Sequence, residues 1–252
     1  MISKAEIKEL ARLHQKKFRD QENKILVEGE KMIAEALSSG WECELILHSN
    51  DFSFSGNYDD IYRPVQSLIN TVSVKELKRL SDTVTPQHII AVFRVPPVKK
   101  SKEDGRVALL LDSVSDPGNF GTIIRTADWF GVKCIYTTGN CADYLNPKVV
   151  RASMGSVFRS VIIRLETSDD IRSYLRNSGR RMICADMHGT PLNRLHSESE
   201  KVLLLLGNEA NGPSDEVKSL AHETAVIPGY GKAESLNVAS AAAVFLYALM
   251  TK

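Results

Sequence analysis

Residues 109–132 read LLLDSVSDPGNFGTIIRTADWFGV. An apolar run with the character of a buried strand breaks at Asp116-Pro117-Gly118-Asn119 and re-emerges as a helical pattern that carries Asn119 and Arg125. Two later stretches repeat the arrangement. Residues 201–217, KVLLLLGNEANGPSDEV, place Gly207, Asn208 and Glu209 directly after an apolar run. Residues 225–249, AVIPGYGKAESLNVASAAAVFLYAL, place Ser235 and Asn237 at the opening of the last helix. In an open, mostly parallel α/β sheet, ligands sit in the crevice outside the carboxyl ends of the strands. Glycine there lets a ligand approach bare backbone, and Pro117 and Pro213 suit the first turns of the helices that follow. Three such junctions in one region, each joining glycine to a polar side chain, point to an enzyme site.

Around these junctions, apolar runs at about 107–112, 132–137, 160–164, 181–185, 202–206 and 224–227 alternate with helical patterns. That alternation predicts an α/β domain over 106–252, a mostly parallel sheet with helices on both faces. The composition shifts at VPPVKKSKEDG, residues 95–105, which reads as a linker. Residues 1–94 mix a polar helix at about 3–20 with helices at EKMIAEALSSG and VSVKELKRLSD, and with strands at ILVEG, CELILHS and HIIAVFRV. This predicts a small, separate α/β or α+β unit.

The 252 residues suffice for a real core, and the formal net charge of +1 gives no global sign of a polyanionic partner, so any such surface must be local. The four cysteines, Cys43, Cys134, Cys141 and Cys184, form no C-x-x-C pair, and the start MISKAEIKEL lacks the apolar core of a signal peptide. A reducing cytoplasm is expected, with Cys134 and Cys184 as core residues of strands. The six histidines lack i, i+4 pairing, so no metal is expected, and no apolar run reaches bilayer length. Lys16, Lys17 and Arg19 in the first helix, with Lys148 and Arg151 at i, i+3 further on, are candidate phosphate contacts; surface salt bridges are the competing reading.

The three stretches in this order resemble those of SpoU-family RNA ribose 2′-O-methyltransferases, and NPKVVRASMGSVFRSVII (146–163) is similar to the family's segment between its first and second motifs. KKFRDQENKILVEGEKMIAEAL (16–37) and TPQHIIAVFR (85–94) resemble the RNA-binding extension of members that modify ribosomal RNA. The resemblance implies a deep trefoil knot near the carboxyl end, an exception to usual chain topology, together with S-adenosylmethionine as cofactor and a homodimer. It carries a cofactor-binding role to Gly207, Asn208, Glu209, Ile227, Pro228 and Leu236, and a catalytic role to Asn119, Arg125, Glu209, Ser235 and Asn237. One departure is visible: Gly229 follows Pro228 where the family usually has methionine.

Each catalytic candidate has a plain alternative. Asn119 and Ser235 suit helix capping, Glu209 a structural brace and Arg125 a surface ion pair. Trp129 and Phe130 read as core or dimer contacts before they read as base-stacking platforms. Arginine is in addition a poor general base, since guanidinium stays protonated. The expected function is therefore an S-adenosylmethionine-dependent 2′-O-methyltransferase acting on ribosomal RNA. The alternatives are the same chemistry on transfer RNA, or an RNA-binding or ribosome-assembly protein that has lost catalysis. A dinucleotide oxidoreductase is disfavoured, because no G-x-G-x-x-G follows the first strand of the second domain.

Overall fold

The computed structural model describes residues 2–97, 105–195, 201–209 and 211–251, which fall into two compact units. Of the expected linker 95–105, residues 98–104 lie outside the described residues.

The first unit is built on strands β1 (Lys24–Glu28), β2 (Cys43–Ser49), β3 (Ile69–Val72) and β4 (Ile89–Arg94), in the order β1-β4-β2-β3. β4 pairs antiparallel with both of its neighbours, while β2 and β3 run parallel. The apolar run of β4 explains its inner position, for its first five residues are all buried. β3, too short and polar to announce itself, was not expected from the sequence. The helices at Glu30–Ser38 and Val74–Leu80 form where expected; Ser73 and Glu76 cap the second reciprocally.

The single helix expected over 3–20 is instead broken into Lys4–Ala11, a 3-10 turn at Arg12–His14 and a second helix Lys16–Glu22, with Gln15 extended at φ −92° and ψ 132°. The break turns Leu13 into the core alongside Ile7, Leu26 and Leu47. It also frees backbone carbonyls, as a helix end must. Arg19 supplies donors to them: its guanidinium bonds the carbonyls of Leu13 at 3.0 Å and His14 at 2.7 Å, and the residue is 3% exposed. The expectation that Arg19 contacts RNA phosphates is therefore corrected; it braces a chain break from inside.

The first unit also contains Leu145–Phe158, which the sequence assigns to the following domain. Within that segment Arg151 forms an ion pair with Asp82, and the Trp41 indole N–H donates to the carbonyl of Phe158 at 3.0 Å while the two rings meet edge to face. Periodicity finds the short helix Pro147–Ala152 but not the body it packs on.

The second unit holds β5 (Val107–Leu111), β6 (Cys134–Thr137), β7 (Val161–Arg164), β8 (Arg181–Pro191), β9 (Val202–Leu206) and β10 (Glu223–Val226), in the order β10-β8-β9-β5-β6-β7. All neighbours are parallel. The central strands β5 and β9 are buried throughout, as a sheet covered on both faces requires. Ala108, Leu110, Leu203 and Leu205 pack with Ile171, Tyr174 and Val217 on one side. The alternate residues Leu109, Leu111, Leu204 and Leu206 are equally buried, and the mutually packed helices Pro117–Trp129 and Val238–Met250 bury Phe120, Ile124, Phe245 and Leu246. Cys134 and Cys184 are core residues as expected, and all four cysteines are free thiols. Among the described residues no helix is long and apolar enough to cross a membrane.

Candidate active site

Asp112, the residue directly after β5, organises the rim of the second unit at the carboxyl ends of its strands. It is 3% exposed, and its carboxylate accepts from the Thr138 hydroxyl at 2.8 Å and the Ser214 backbone N–H at 2.6 Å. Asn208 adds a bond from its amide to the carbonyl of Ser113 at 3.2 Å. The connections that follow β5, β6 and β9 are thereby tied together. Sequence reasoning missed Asp112, although an acid immediately after the apolar run VALLL was a legible sign of a buried polar brace.

Asp116 caps the helix Pro117–Trp129, accepting from the backbone N–H of Asn119 at 2.7 Å. The capping alternative for Asn119 is thus taken by its neighbour, and the Asn119 side chain is directed elsewhere. Its amide N–H donates to the Glu209 carboxylate, and its carbonyl oxygen accepts from the Asn237 amide at 2.9 Å. Asn237 in turn caps the last helix through Ala239 N–H at 2.9 Å and Ser240 N–H at 3.4 Å. One asparagine therefore joins all three stretches singled out in the sequence. Glu209 is a brace for Asn119 in this arrangement, half-buried.

Ser235 does not cap the last helix; it lies exposed in the preceding loop, with no hydrogen-bond partner among the described residues. Arg125 is likewise exposed and has no ion pair or hydrogen bond among the described residues. It stands about 9 Å along the helix axis from Asn119, six residues at 1.5 Å each, on a different face. The chain by itself does not bring Arg125 to the Asn119–Glu209 pair.

Gly207 is buried beneath a tight return in which Asn208 and Gly212 exchange backbone hydrogen bonds at 3.1 and 2.9 Å. A Cβ there would overlap the backbone of Gly212 and Pro213, so glycine is required by close approach. Leu236, adjacent to Asn237, is 51% exposed. Ile227 is half-buried at the end of β10 and Pro228 is exposed. Exposed Pro228 and Leu236 supply apolar surface, and the close backbone approach at Gly207 supplies main-chain polar groups, the chemistry that an adenosyl group requires. Nearby Cys141 is a packing thiol: burial pushes its pKa up, and it donates to the carbonyl of Leu111.

Of the basic candidates, Lys16 is paired with Asp20 at 2.6 Å and Arg151 with Asp82. Lys17 and Lys148 are exposed and have no carboxylate partner among the described residues.

Residues 106–247 match the SpoU rRNA Methylase family, and residues 4–91 match the MRM3-like substrate binding domain. The chain is 33% identical to the 23S rRNA (guanosine(2553)-2′-O)-methyltransferase RlmP of Bacillus subtilis over 96% of its own length and 95% of that protein. Among solved structures, it resembles the AdoMet-bound rRNA methyltransferase of Sinorhizobium meliloti with a TM-score of 0.87 and 31% identity, covering 100% of this chain and 96% of that one. It also resembles the SpoU methyltransferase AviRb of Streptomyces viridochromogenes in complex with AdoMet, with a TM-score of 0.85 and 28% identity, covering 99% and 98%.

Proposed function

The chain belongs to the SpoU rRNA methylase family, and on that premise we propose that it methylates a ribose 2′-hydroxyl of ribosomal RNA with S-adenosylmethionine as methyl donor. The observation that carries this reading is the junction at Asn119, which draws Glu209 and Asn237 together at the carboxyl ends of parallel strands. The relatives whose names specify ribose methylation of 23S rRNA, and the AdoMet-bound neighbours, supply the substrate and donor classes.

When bound, S-adenosylmethionine supplies a methyl group on a positively charged sulfur. Gly207, Asn208, Glu209, Ile227, Pro228 and Leu236 would form the wall that holds it. The ribose oxygen must be aimed along the line of the departing sulfur and must lose its proton, so positioning supplies much of the acceleration. Asn119 and Asn237 hold the two flanking loops at fixed spacing, and Ser235 presents a free hydroxyl to the acceptor. Arg125 binds the phosphate beside the target ribose and stabilises negative charge developing on the attacking oxygen. Proton removal falls to another group or to water, because the delocalised guanidinium is a very poor base.

Homodimerisation belongs to the same proposal. Trp129 is 85% exposed and Tyr247 62% exposed on the two packed helices, with Val244 and Met250 also uncovered. Arg125 and Trp129 are i, i+4 neighbours, so a second subunit covering the tryptophan also receives the arginine. The deep trefoil knot, and Lys17 and Lys148 as RNA contacts, complete the reading, with the first unit binding RNA in the manner suggested by its match to a substrate-binding domain. The free thiols favour a reducing compartment such as the cytoplasm.

The test combines donor titration with mapping of ribose methylations in ribosomal and transfer RNA from cells with and without the gene. A single ribose methylation missing from ribosomal RNA, restored by the purified enzyme, is expected. No affinity for S-adenosylmethionine, or an unchanged ribosomal RNA map, overturns the proposal.

A further inference from the structure

The loop between β10 and the last helix carries an aromatic ring that nothing among the described residues covers. Every residue from Pro228 to Asn237 is exposed, and Tyr230 is 98% exposed. Gly229 and Gly231 flank it, and a Cβ at either would meet no atom within 4 Å. The ring thus stands in open space on a glycine-flanked tip. An aromatic side chain in water forgoes a large burial gain, so its retention in a loop that also bears Ser235 and Asn237 calls for an occupant.

Trp129, also uncovered, has a different setting. It shares a helix pair with exposed Val244, Tyr247 and Met250, an apolar surface of the sort subunit interfaces bury. Tyr230 has glycine on both sides and Lys232 beyond, so no apolar side chain adjoins it in sequence. A single ring accompanied by an exposed lysine matches how single-stranded RNA is held: bases stack on aromatic faces while cations meet the phosphates. RNA readers reach sequence mainly through unpaired, splayed bases.

We infer that Tyr230 is a substrate-binding residue, whose ring stacks on an unpaired base at or next to the methylated nucleotide, with Lys232 meeting the adjoining phosphate. The inference rests on the proposed RNA methyltransferase activity and deepens it, by requiring that the target nucleotide be presented unpaired.

The experiment compares wild type with Tyr230→Ala, Tyr230→Phe and Tyr230→Trp on 23S rRNA transcribed in vitro. Rates are followed by methyl transfer, donor affinity by calorimetry and subunit state by light scattering. Loss of one stacked base predicts that Tyr230→Ala lowers kcat/KM by about 5- to 150-fold. Phenylalanine and tryptophan should restore most of it, with donor affinity and subunit state unchanged. A Tyr230→Ala enzyme as active as wild type overturns the inference. So does one that loses donor affinity in proportion, which would place the ring on the adenine, or one that dissociates, which would place it in the interface. An inactive wild type that binds no donor would instead defeat the broader functional reading.

Discussion

Asn119 and Asn237 lie 118 residues apart in the chain, yet the amide of one donates to the amide of the other at 2.9 Å while Asn119 also donates to Glu209. Removing the middle of such a chain strands both ends. Asn119→Ala leaves a carboxylate without its donor, a loss of about 1–3 kcal/mol, and is expected to lower kcat/KM by about 5- to 150-fold. Asn119→Asp, which sets a second carboxylate against Glu209, should be worse. A double-mutant cycle with Asn237→Ala measures the coupling, expected at about 0.5–3 kcal/mol; additive losses would show that the three motifs do not act together.

Arg125 has no partner among the described residues to justify it structurally. Arg125→Ala should therefore abolish methyl transfer while leaving the melting temperature and donor affinity near those of wild type. Arg125→Lys should recover little, with no displacement of the pH–rate profile, because a point charge cannot reproduce a planar fork on phosphate. An active lysine enzyme with a lowered pH optimum would establish proton abstraction at this position.

Gly207→Ala forces a methyl group into the backbone of Gly212 and Pro213. Overpacking costs about 1–3 kcal/mol where side chains can yield, and here the obstacle is main chain. Thermal unfolding should show a reduced melting temperature, and calorimetry a donor affinity at least tenfold weaker. A variant with wild-type values for both would remove Gly207 from the donor wall.

The basic residues of the first unit should separate cleanly. Arg19→Ala uncaps the carbonyls of Leu13 and His14 and should lower the melting temperature, with the salt dependence of RNA binding unaltered. Lys17→Ala should leave stability in place and reduce the slope of log affinity against log salt by about one. The measurement is RNA binding across a salt series beside a melting curve for each variant.

Two thiols give a pH signature. Burial pushes the pKa of Cys184 up to about 11, helped by the neighbouring charge of Asp186, and burial likewise pushes Cys43 up to about 11. A folded value above the unfolded one favours the neutral thiol, so the stabilisation is complete below about pH 9 and is lost as pH rises towards 11. At pH 8 both thiols therefore stay more fully protonated than ordinary ones. Iodoacetamide labelling read by mass spectrometry should be slow at both positions in the native protein and fast in urea.

The parallel sheet was legible because β5 and β9 are continuous apolar runs bounded by turn residues, a pattern that depends on neighbours along the chain alone. The break at Gln15 was not, since nothing local stops the helix there; Leu13 leaves the helical path to reach a core contributed by Leu26 and Leu47, and Arg19 rescues the carbonyls. The same holds for Leu145–Phe158, whose packing with Asp82 and Trp41 depends on residues more than sixty positions away. Within the site, the polar residues after the apolar runs could be found. Their pairing could not: periodicity offered no reason for Asp116 to cap the helix and leave Asn119 free, or for Glu209 to brace Asn119 in particular.

Asp112 draws on Thr138 and Ser214, so its carboxylate is satisfied only after β6 and β9 have both docked beside β5. A substitution at that buried oxygen pair therefore unfastens strand ends distant in sequence. Hydrogen exchange at Ser214 should report this as a region that opens well before the sheet beneath it, a catalytic margin with a melting behaviour of its own.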